Sequence, residues 1–502
     1  MNASDRSRPD GLTLESLGYL NYMHRLLTRP GGSWDGFYVP QSPSMNFALR
    51  YQLAFATYAL AALAQHTPAY RAPYVEAMRG AIEKMLDAAS WGYWRAPARG
   101  NASALGESGH VAVLVSPHSR APAGPPSDPV AHDNLQYSGH LSTMLGLYEK
   151  VSGDSRFDRE FTLSDPESGV EYVYSHGQVA ARIHSQMHEN RFGGVCCESG
   201  MAYVPCNNHA MASNTLHDAL HGTRYRDANA GWLRSVRDKM VLKGPALRGI
   251  FGAAYVKDLR MAAPVAFNFT DAWGLAFMLP FDRPLVRRLY RKFRRRVTRE
   301  GDGAYLGSSP YSERAEISDV PINTGFALIA ARGVGDTELA DALLRYASVA
   351  FGASWRGPEY LFHDAPRTLH ATALYALAEA IEPGGEDFAS LFNAPPDREA
   401  QARPRLESVS SPGAVGVSQA RYDPSSKTLR IGLRQPGDPA QLRQGEVQEA
   451  ILTIAGIHAG PRIEVSGAAL AGGYYVHNSD GSMRFSVQVA PTEETVCDIR
   501  LA

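Results

Sequence analysis

The spacing of apolar residues changes once along this 502-residue chain, near residue 400, and no other feature constrains the fold as strongly. Upstream the spacing is helical. LESLGYLNYMHRLL (14–27), NFALRYQLAFATYALAALAQ (46–65) and YVEAMRGAIEKMLDAA (74–89) put apolar residues three and four positions apart. Similar segments follow at 138–152, 172–188, 207–221, 226–241, 270–279, 284–298, 322–332, 337–350 and 367–382, about twelve helices joined by Gly- or Pro-containing turns. Downstream the period is two: ARYDPSSKTLRIGLRQ, QEAILTIAGI, PRIEVSGAALAGGYYVHN and MRFSVQVAPTEETVCDIRLA read as strands broken by turn signals. The helical pairs show no sequence repeat, so a closed ring of six hairpins is expected rather than an open solenoid. The expected fold is therefore mainly α. An (α/α)6 barrel spans residues 1–390 with its site at one end, a linker covers 391–407, and a β-sandwich-like domain covers 408–502.

Composition narrows the function classes. With 50 Lys+Arg against 51 Asp+Glu, the chain lacks the basic excess that a nucleic-acid binder needs. The segment RPLVRRLYRKFRRRVTRE (283–300) carries eight Arg and one Lys, but in a near-neutral chain it reads as a solvated or inter-subunit helix face. No apolar run is long enough to span a bilayer. The polar start MNASDRSRPDG has no apolar middle, so a cytoplasmic location is expected. An Ala-, Gly-, Pro- and Ser-rich stretch at 95–132 reads as a long loop, either a lid or a surface excursion. Four cysteines are too few for a disulfide scaffold. Their placement is uneven: Cys196, Cys197 and Cys206 fall within eleven residues, while Cys497 stands in the β region.

Three segments carry the candidate chemistry. FGGVCCESGMAYVPCNNHA (192–210) is a loop feeding a helix, with Asn207 or Asn208 as the expected N-cap. Its thiols admit several readings: a Cys197–Cys206 disulfide, a zinc site of Cys206 and His209 with Cys196 or Cys197, inert buried thiols, or acid–base groups. HDNLQYSGHLSTMLGLYEKV (132–151) puts His140 at a helix start, where it is either a proton shuttle or a structural histidine. Tyr51 lies on the otherwise apolar ALRYQLAFATYALA, as a core tyrosine or as a site hydroxyl.

Together these segments resemble the linalool dehydratase-isomerase family. The likeness runs in order through most of residues 17–300, in LGYLNYM, LRYQLAFATYALA, DNLQYSGHLSTMLGLYEKVSG, GVCCESGMAYVPCN, HGTRYRDANAGWL and FTDAWGLAF. It implies an (α/α)6 barrel, no metal or organic cofactor, and a ring-shaped homo-oligomer whose neighbouring subunits complete each site. By position it implies Cys197 and Cys206 as active-site thiols, His140 as the catalytic histidine, Tyr51 in the acid/base set, and Tyr203, Phe269 and Trp273 as the aromatic pocket. The sequence departs from the family at four places. His24 stands where the family has a catalytic Asp given across the subunit interface, Pro30 replaces a tyrosine, Gln136 a methionine and Asp271 a threonine.

Dehydrating an allylic alcohol needs an acid for the leaving hydroxyl, a base for a neighbouring proton and an aromatic wall for the cation. The expected catalytic set is Cys197, Cys206, His140, Tyr51 and His24. The expected substrate-binding set is Gln136, Tyr203, Phe269, Trp273, Asp271, Glu198 and Asn207. The polar replacements Gln136 and Asp271 point to an isoprenoid or prenylated small molecule that is larger or more oxygenated than linalool. The expected setting is natural-product biosynthesis, with neither nucleic acid nor membrane as partner. Two other function classes stay open: a carbohydrate-active enzyme with carboxylates drawn from Asp271, Glu198, Asp133 and Asp35, and a non-catalytic small-molecule binder.

Overall fold

The computed structural model describes residues 11–39, 48–95, 128–197, 200–243, 249–309, 319–400, 402–410, 413–457, 463–467, 470–477 and 481–501. Each of the twelve expected helices is present: α1 (Leu14–Leu27), α2 (Leu49–Ala64), α3 (Ala72–Leu86), α4 (Leu135–Ser152), α5 (His176–Glu189), α6 (Val204–His221), α7 (Asn229–Ser235), α8 (Asn268–Met278), α9 (Arg283–Phe293), α10 (Val320–Val334), α11 (Thr337–Ala350) and α12 (Thr368–Ala380). Helices α2, α4, α6, α8, α10 and α12 each pack on the next, and α12 returns to α2, which closes a ring. The odd-numbered helices flank it.

Side-chain chemistry explains this division. All sixteen residues of α2 are buried, and α8, α10 and α12 are buried almost all round, as suits helices enclosed on every side. The flanking α9 buries only Leu285, Val286, Leu289, Tyr290 and Phe293. Its arginine-rich continuation pairs with neighbours: Arg294 with Asp336 and Glu338, Arg299 with Glu338. That arrangement fits the helix-face reading of 283–300.

Several boundaries moved. Residues 171–174 form a strand paired with 161–164, and α5 starts after it because Ser175 and Gln178 make a capping box. Helix α4 begins at Leu135, three residues earlier than expected, so His140 sits in its second turn. The stretch expected to be linker starts as a further helix, α13 (Glu386–Asn393). Phe388, Leu391 and Phe392 are buried there, each contributing about 1.5–3 kcal/mol, enough to order a short segment against the ring. Of the long loop at 95–132, residues 96–127 lie outside the described residues.

Connections from flanking to ring helices are long: 28–48, 87–134, 190–203, 236–267, 294–319 and 351–367. The return connections are short, down to 335–336, apart from 153–175. The long loops therefore gather at the N-terminal ends of the ring helices, and this is where a site has room to be built.

Beyond residue 404 the described residues form eight strands: β1 (Arg405–Val409), β2 (Gly416–Asp423), β3 (Thr428–Arg434), β4 (Gln448–Ala455), β5 (Ile463–Ser466), β6 (Leu470–His477), β7 (Met483–Val489) and β8 (Thr495–Leu501). They make two antiparallel sheets, ordered β1-β4-β7-β6 and β2-β3-β8-β5. Alternate residues of both sheets, among them Leu406, Ile431, Leu452, Phe485 and Ile499, form one shared core. Cys497 is part of it, its thiol pushed up to about 12 by burial. The sheets are tied to the helices through the backbone: Leu12 N–H donates to Ser418 (2.7 Å), Ala69 N–H to Ala420 (3.0 Å) and Leu406 N–H to Ala69 (2.9 Å). Among the described residues, no helix is long and apolar enough to cross a membrane.

Candidate active site

The loop that carries the thiols is held by one side chain. Asn207 Oδ1 accepts from Val195 N–H (2.8 Å), and its Nδ2 donates to the carbonyls of Val195 and Tyr203 (both 3.0 Å). Neither Asn207 nor Asn208 caps the helix, because α6 begins earlier, at Val204, with Pro205 in its first turn. The amide expected to contact substrate is thus committed to the protein backbone. Gly194 is required beside it: a Cβ there would lie 2.4 Å from the Trp232 ring and 2.8 Å from Asn207 Oδ1. Cys197 N–H donates to Met201 (2.8 Å), which completes the turn.

Cys196, Cys197 and Cys206 are free and buried, so no disulfide joins them. The Cys197 thiol lies against that of Cys206. Burial first, then Cys206, pushes Cys197 well above the ordinary thiol range and keeps it protonated at neutral pH. The Cys196 backbone carbonyl accepts from Leu135 N–H (3.2 Å), binding this loop to the start of α4. There the backbone is strained: Asp133 and Asn134 both adopt left-handed conformations, with φ of +51° and +50°. Gln186 Oε1 accepting from Asp133 N–H (2.8 Å) and Asn134 Nδ2 donating to Pro129 (3.0 Å) hold that turn.

Tyr51 is where the expected residues meet. Its hydroxyl donates to Gln136 Oε1 (3.1 Å), its ring stands edge-on to His140 (5.3 Å) and Trp273 (5.4 Å), and burial raises its pKa, with Cys206 and Cys197 near enough to add to that push. The structure therefore brings Tyr51, Gln136, His140, Trp273, Cys197 and Cys206 together at the N-terminal ends of α2, α4, α6 and α8. Phe55, one turn further along α2, packs on His140, His209 and Trp273, and Trp273 stacks on Phe326 (5.2 Å). This makes an aromatic wall.

His140 Nδ1 is 2.7 Å from the Tyr58 hydroxyl, and its Nε2 is buried without a hydrogen-bond partner. Burial, followed by His209, Arg50 and His370, holds its pKa well below the ordinary histidine range, so the ring is neutral at pH 7. The His209 ring lies tilted against it at 4.0 Å and accepts at Nε2 from Trp273 (3.1 Å); burial lowers it to about 3. His209 thus faces an indole N–H.

Other expected site residues have different surroundings. Asp271 Oδ2 accepts from Ile250 N–H (2.9 Å), its Oδ1 from Phe251 N–H (2.8 Å), and Arg296 pairs with it. Burial raises its pKa against those partners. Its carboxylate anchors the 250–251 backbone, which corrects the expectation that it makes the pocket polar. Phe269 stacks on Phe267 (5.7 Å), and Tyr203 places its hydroxyl on Met201 Sδ (3.7 Å). His24, near the end of α1, pairs with Glu76 at 3.1 Å and is partly exposed. Pro30 offers its carbonyl to Lys84 Nζ (3.2 Å). Glu198 lies outside the described residues.

Arg50, Tyr58 and Tyr93 were missed. Arg50 is 2% exposed, lies over the rings of Tyr93 (4.0 Å) and Tyr51 (4.6 Å), and donates through Nη2 to Gln136 Oε1 (3.2 Å). Its Nε has no partner, and among the described residues no carboxylate pairs with it. A buried guanidinium without a carboxylate is costly unless something else uses its charge. The signal was present as an Arg inside an apolar helix, beside Tyr51.

A closed ring of helices around a buried centre of thiols, imidazole and aromatic rings defines the class of protein. A family model described as linalool dehydratase/isomerase matches residues 50–365, more than half of the chain. The chain belongs to this family. The match begins at Arg50 and takes in α4, α6, α8 and α10 with the thiol loop. It leaves out α1 with His24, α12 and the β-sheets.

Proposed function

We propose that this protein is a cofactor-independent acid–base lyase or isomerase. It would dehydrate, hydrate, isomerise or cyclise an isoprenoid or prenylated small molecule bearing an oxygenated group, in natural-product biosynthesis. The observation that carries this reading is the placement of Arg50, Tyr51 and Gln136 beside Cys197 and Cys206 under an aromatic wall.

In the dehydration direction Cys197, held protonated, gives its proton to the leaving hydroxyl, positioned by Tyr51. The C–O bond breaks and its electrons leave with water. The rings of Tyr51, Phe55 and Trp273 shelter the allylic cation. Cys206, acting as the thiolate, takes the proton from the neighbouring carbon, whose C–H electrons become the new double bond, and His140 through its unpartnered Nε2 returns that proton to the Cys197 thiolate. Arg50 and Gln136 hold the added oxygen of the substrate, a role a hydrocarbon alcohol would not call for. His24 would act from a neighbouring subunit of a homo-oligomer.

Under this reading the helical ring with its flanking helices is an (α/α)6 barrel, the paired sheets are a β-sandwich-like appendage, and the setting is cytoplasmic, where thiols stay reduced. A carbohydrate-active role is less well supported. It needs two carboxylates facing a cleft, whereas Asp271 is bonded to backbone amides and Asp35 is exposed on a loop.

The test is turnover of a panel of allylic terpene alcohols and their hydroxylated or carboxylated analogues in D2O, scored by product mass. Deuterium incorporation that is lost in Cys197→Ala and Cys206→Ala supports the reading. Intact turnover in those variants, with loss in Asp271→Asn and Glu198→Gln, overturns it. Ligand protection without turnover by any substrate would point to a binding protein instead.

A further inference from the structure

A second polar cluster lies at the other end of the ring. Glu149 follows Gln136 by thirteen residues on α4, about 20 Å along the helix, so it stands well away from the thiols. Beside it come Asp158, from the turn at Arg156–Asp158, His176, the first residue of α5, and His221, the last residue of α6. Four separate elements converge here on four potential ligand atoms, all within 4.8 Å of one another. We propose that Glu149, Asp158, His176 and His221 form a zinc-binding site that clips together the ends of α4, α5 and α6.

The distances suit the ion. His221 Nε2 lies 3.2 Å from Glu149 Oε2 and 3.7 Å from Asp158 Oδ1. His176 Nδ1 lies 4.0 Å and 3.9 Å from the same two oxygens. Tetrahedral zinc with bonds near 2.0–2.1 Å needs ligand atoms about 3.3 Å apart, so side-chain rotations that draw the more distant atoms in by about 0.7 Å, and by about 1.5 Å at most, close the shell. Two imidazoles with two carboxylates suit zinc, whereas magnesium and calcium prefer oxygen ligands alone.

His176 supplies an independent observation. It is 1% exposed, and neither ring nitrogen has a well-formed hydrogen bond, the Ser142 backbone being its one near polar neighbour besides the carboxylates and histidines of the cluster. Leaving a buried polar group unpaired costs about 1–3 kcal/mol, so this ring is better explained as a ligand than as packing. It faces two carboxylate groups whose mutual repulsion a divalent cation relieves. The other three groups are partly exposed, with side-chain values of 16% for Glu149, 36% for Asp158 and 24% for His221, which leaves the ion a path in from solvent. His217, 4.5 Å away ring to ring, turns Nδ1 to Thr223 instead (2.9 Å).

A nearby surface pair complicates the measurement. His184 and His188, one turn apart on α5, have Nε2 atoms 3.1 Å apart and can bind zinc themselves. The experiment therefore uses the full chain carrying His184→Ala and His188→Ala, stripped with a chelator. It is titrated with Zn2+ by calorimetry and with Co2+ by visible absorption. The expected result is one equivalent bound, four-coordinate Co2+ bands and a raised Tm with Zn2+ but not Mg2+. Adding Asp158→Asn or His221→Ala, both near the surface, should weaken the Kd by about 100-fold and remove the Tm gain. His176→Ala should do the same if it folds. Absence of saturable Zn2+ binding, or binding unchanged by Asp158→Asn and His221→Ala, overturns the proposal. None of these readouts depends on turnover.

Discussion

Tyr58 and His140, eighty-two residues apart in sequence, meet through a 2.7 Å contact between the phenol oxygen and Nδ1, entirely inside the protein. This contact holds Nδ1 and leaves Nε2 buried without a hydrogen-bond partner. If His140 relays protons, Ala or Gln at 140 should lower kcat by about 10²–10⁴-fold. Tyr58→Phe keeps the ring but frees the imidazole, so its loss should be smaller and should shift the pH profile of kcat. A Tyr58→Phe enzyme with wild-type kcat and pH profile would remove the positioning role.

Cys197 and Cys206 should not be interchangeable. Cys197 is held protonated by burial and by its neighbour, so Cys197→Ser, a far weaker acid, should lose most activity while the fold is kept. Steady-state rates, with circular dichroism as the fold control, decide this. Equal activity in wild type and Cys197→Ser would exclude the thiol as acid.

Arg50 predicts a split between substrates. Arg50→Met, close in length but uncharged, should raise KM for substrates with an added oxygen or carboxylate by about 10-fold or more, and change little for a plain hydrocarbon alcohol. A uniform change for both would assign Arg50 to packing with Tyr51 and Tyr93.

Asn207 and Asp271 are expected to matter through stability. Asn207→Ala leaves the Val195 N–H and carbonyl buried without partners and should cost about 2–4 kcal/mol by urea unfolding. Asp271→Asn leaves Arg296 without its counter-charge and should cost about 3–5 kcal/mol, while the folded fraction keeps its kcat.

Stability should fall on mild acidification. His140 and His209 are neutral in the folded state, with His209 near 3, against about 6.5 for a free histidine. Between those values the unfolded chain binds protons that the folded chain excludes. Their stabilisation is thus complete above pH 6.5 and is lost as pH falls below it, at up to about 1.4 kcal/mol per pH unit for each ring. Urea midpoints at pH 7.5, 6.0 and 5.0 should decline, and His209→Gln should flatten the slope. A flat wild-type profile would show that these rings are charged in the fold.

Much of the architecture was legible. Apolar periodicity located twelve helices because burial of a face repeats every 3.6 residues whatever the partner. It missed α13, too short and too near Pro395 and Pro396 for its period to stand out, and it placed the start of α4 late because a strained Asp133–Asn134 turn precedes it. The thiol segment, His140 and Tyr51 stood out in the sequence as candidates, and it was the resemblance to the family that joined them into one site.

Roles that depend on partners far away in sequence were not readable. Asn207 and Asp271 looked like pocket polarity, yet each bonds to backbone amides twelve to twenty-one residues away. Arg50 looked like one charge on an apolar helix until Gln136 and Tyr93 closed around it. Glu149, Asp158, His176 and His221 carried no recognisable spacing, because no two of them share a helix. The sequence alone determined which faces are buried and where the period changes, since hydrophobic burial is local in its pattern. Only the tertiary structure decided which polar groups meet inside, because a hydrogen bond or an ion pair is set by distances of a few ångströms that chain order does not encode.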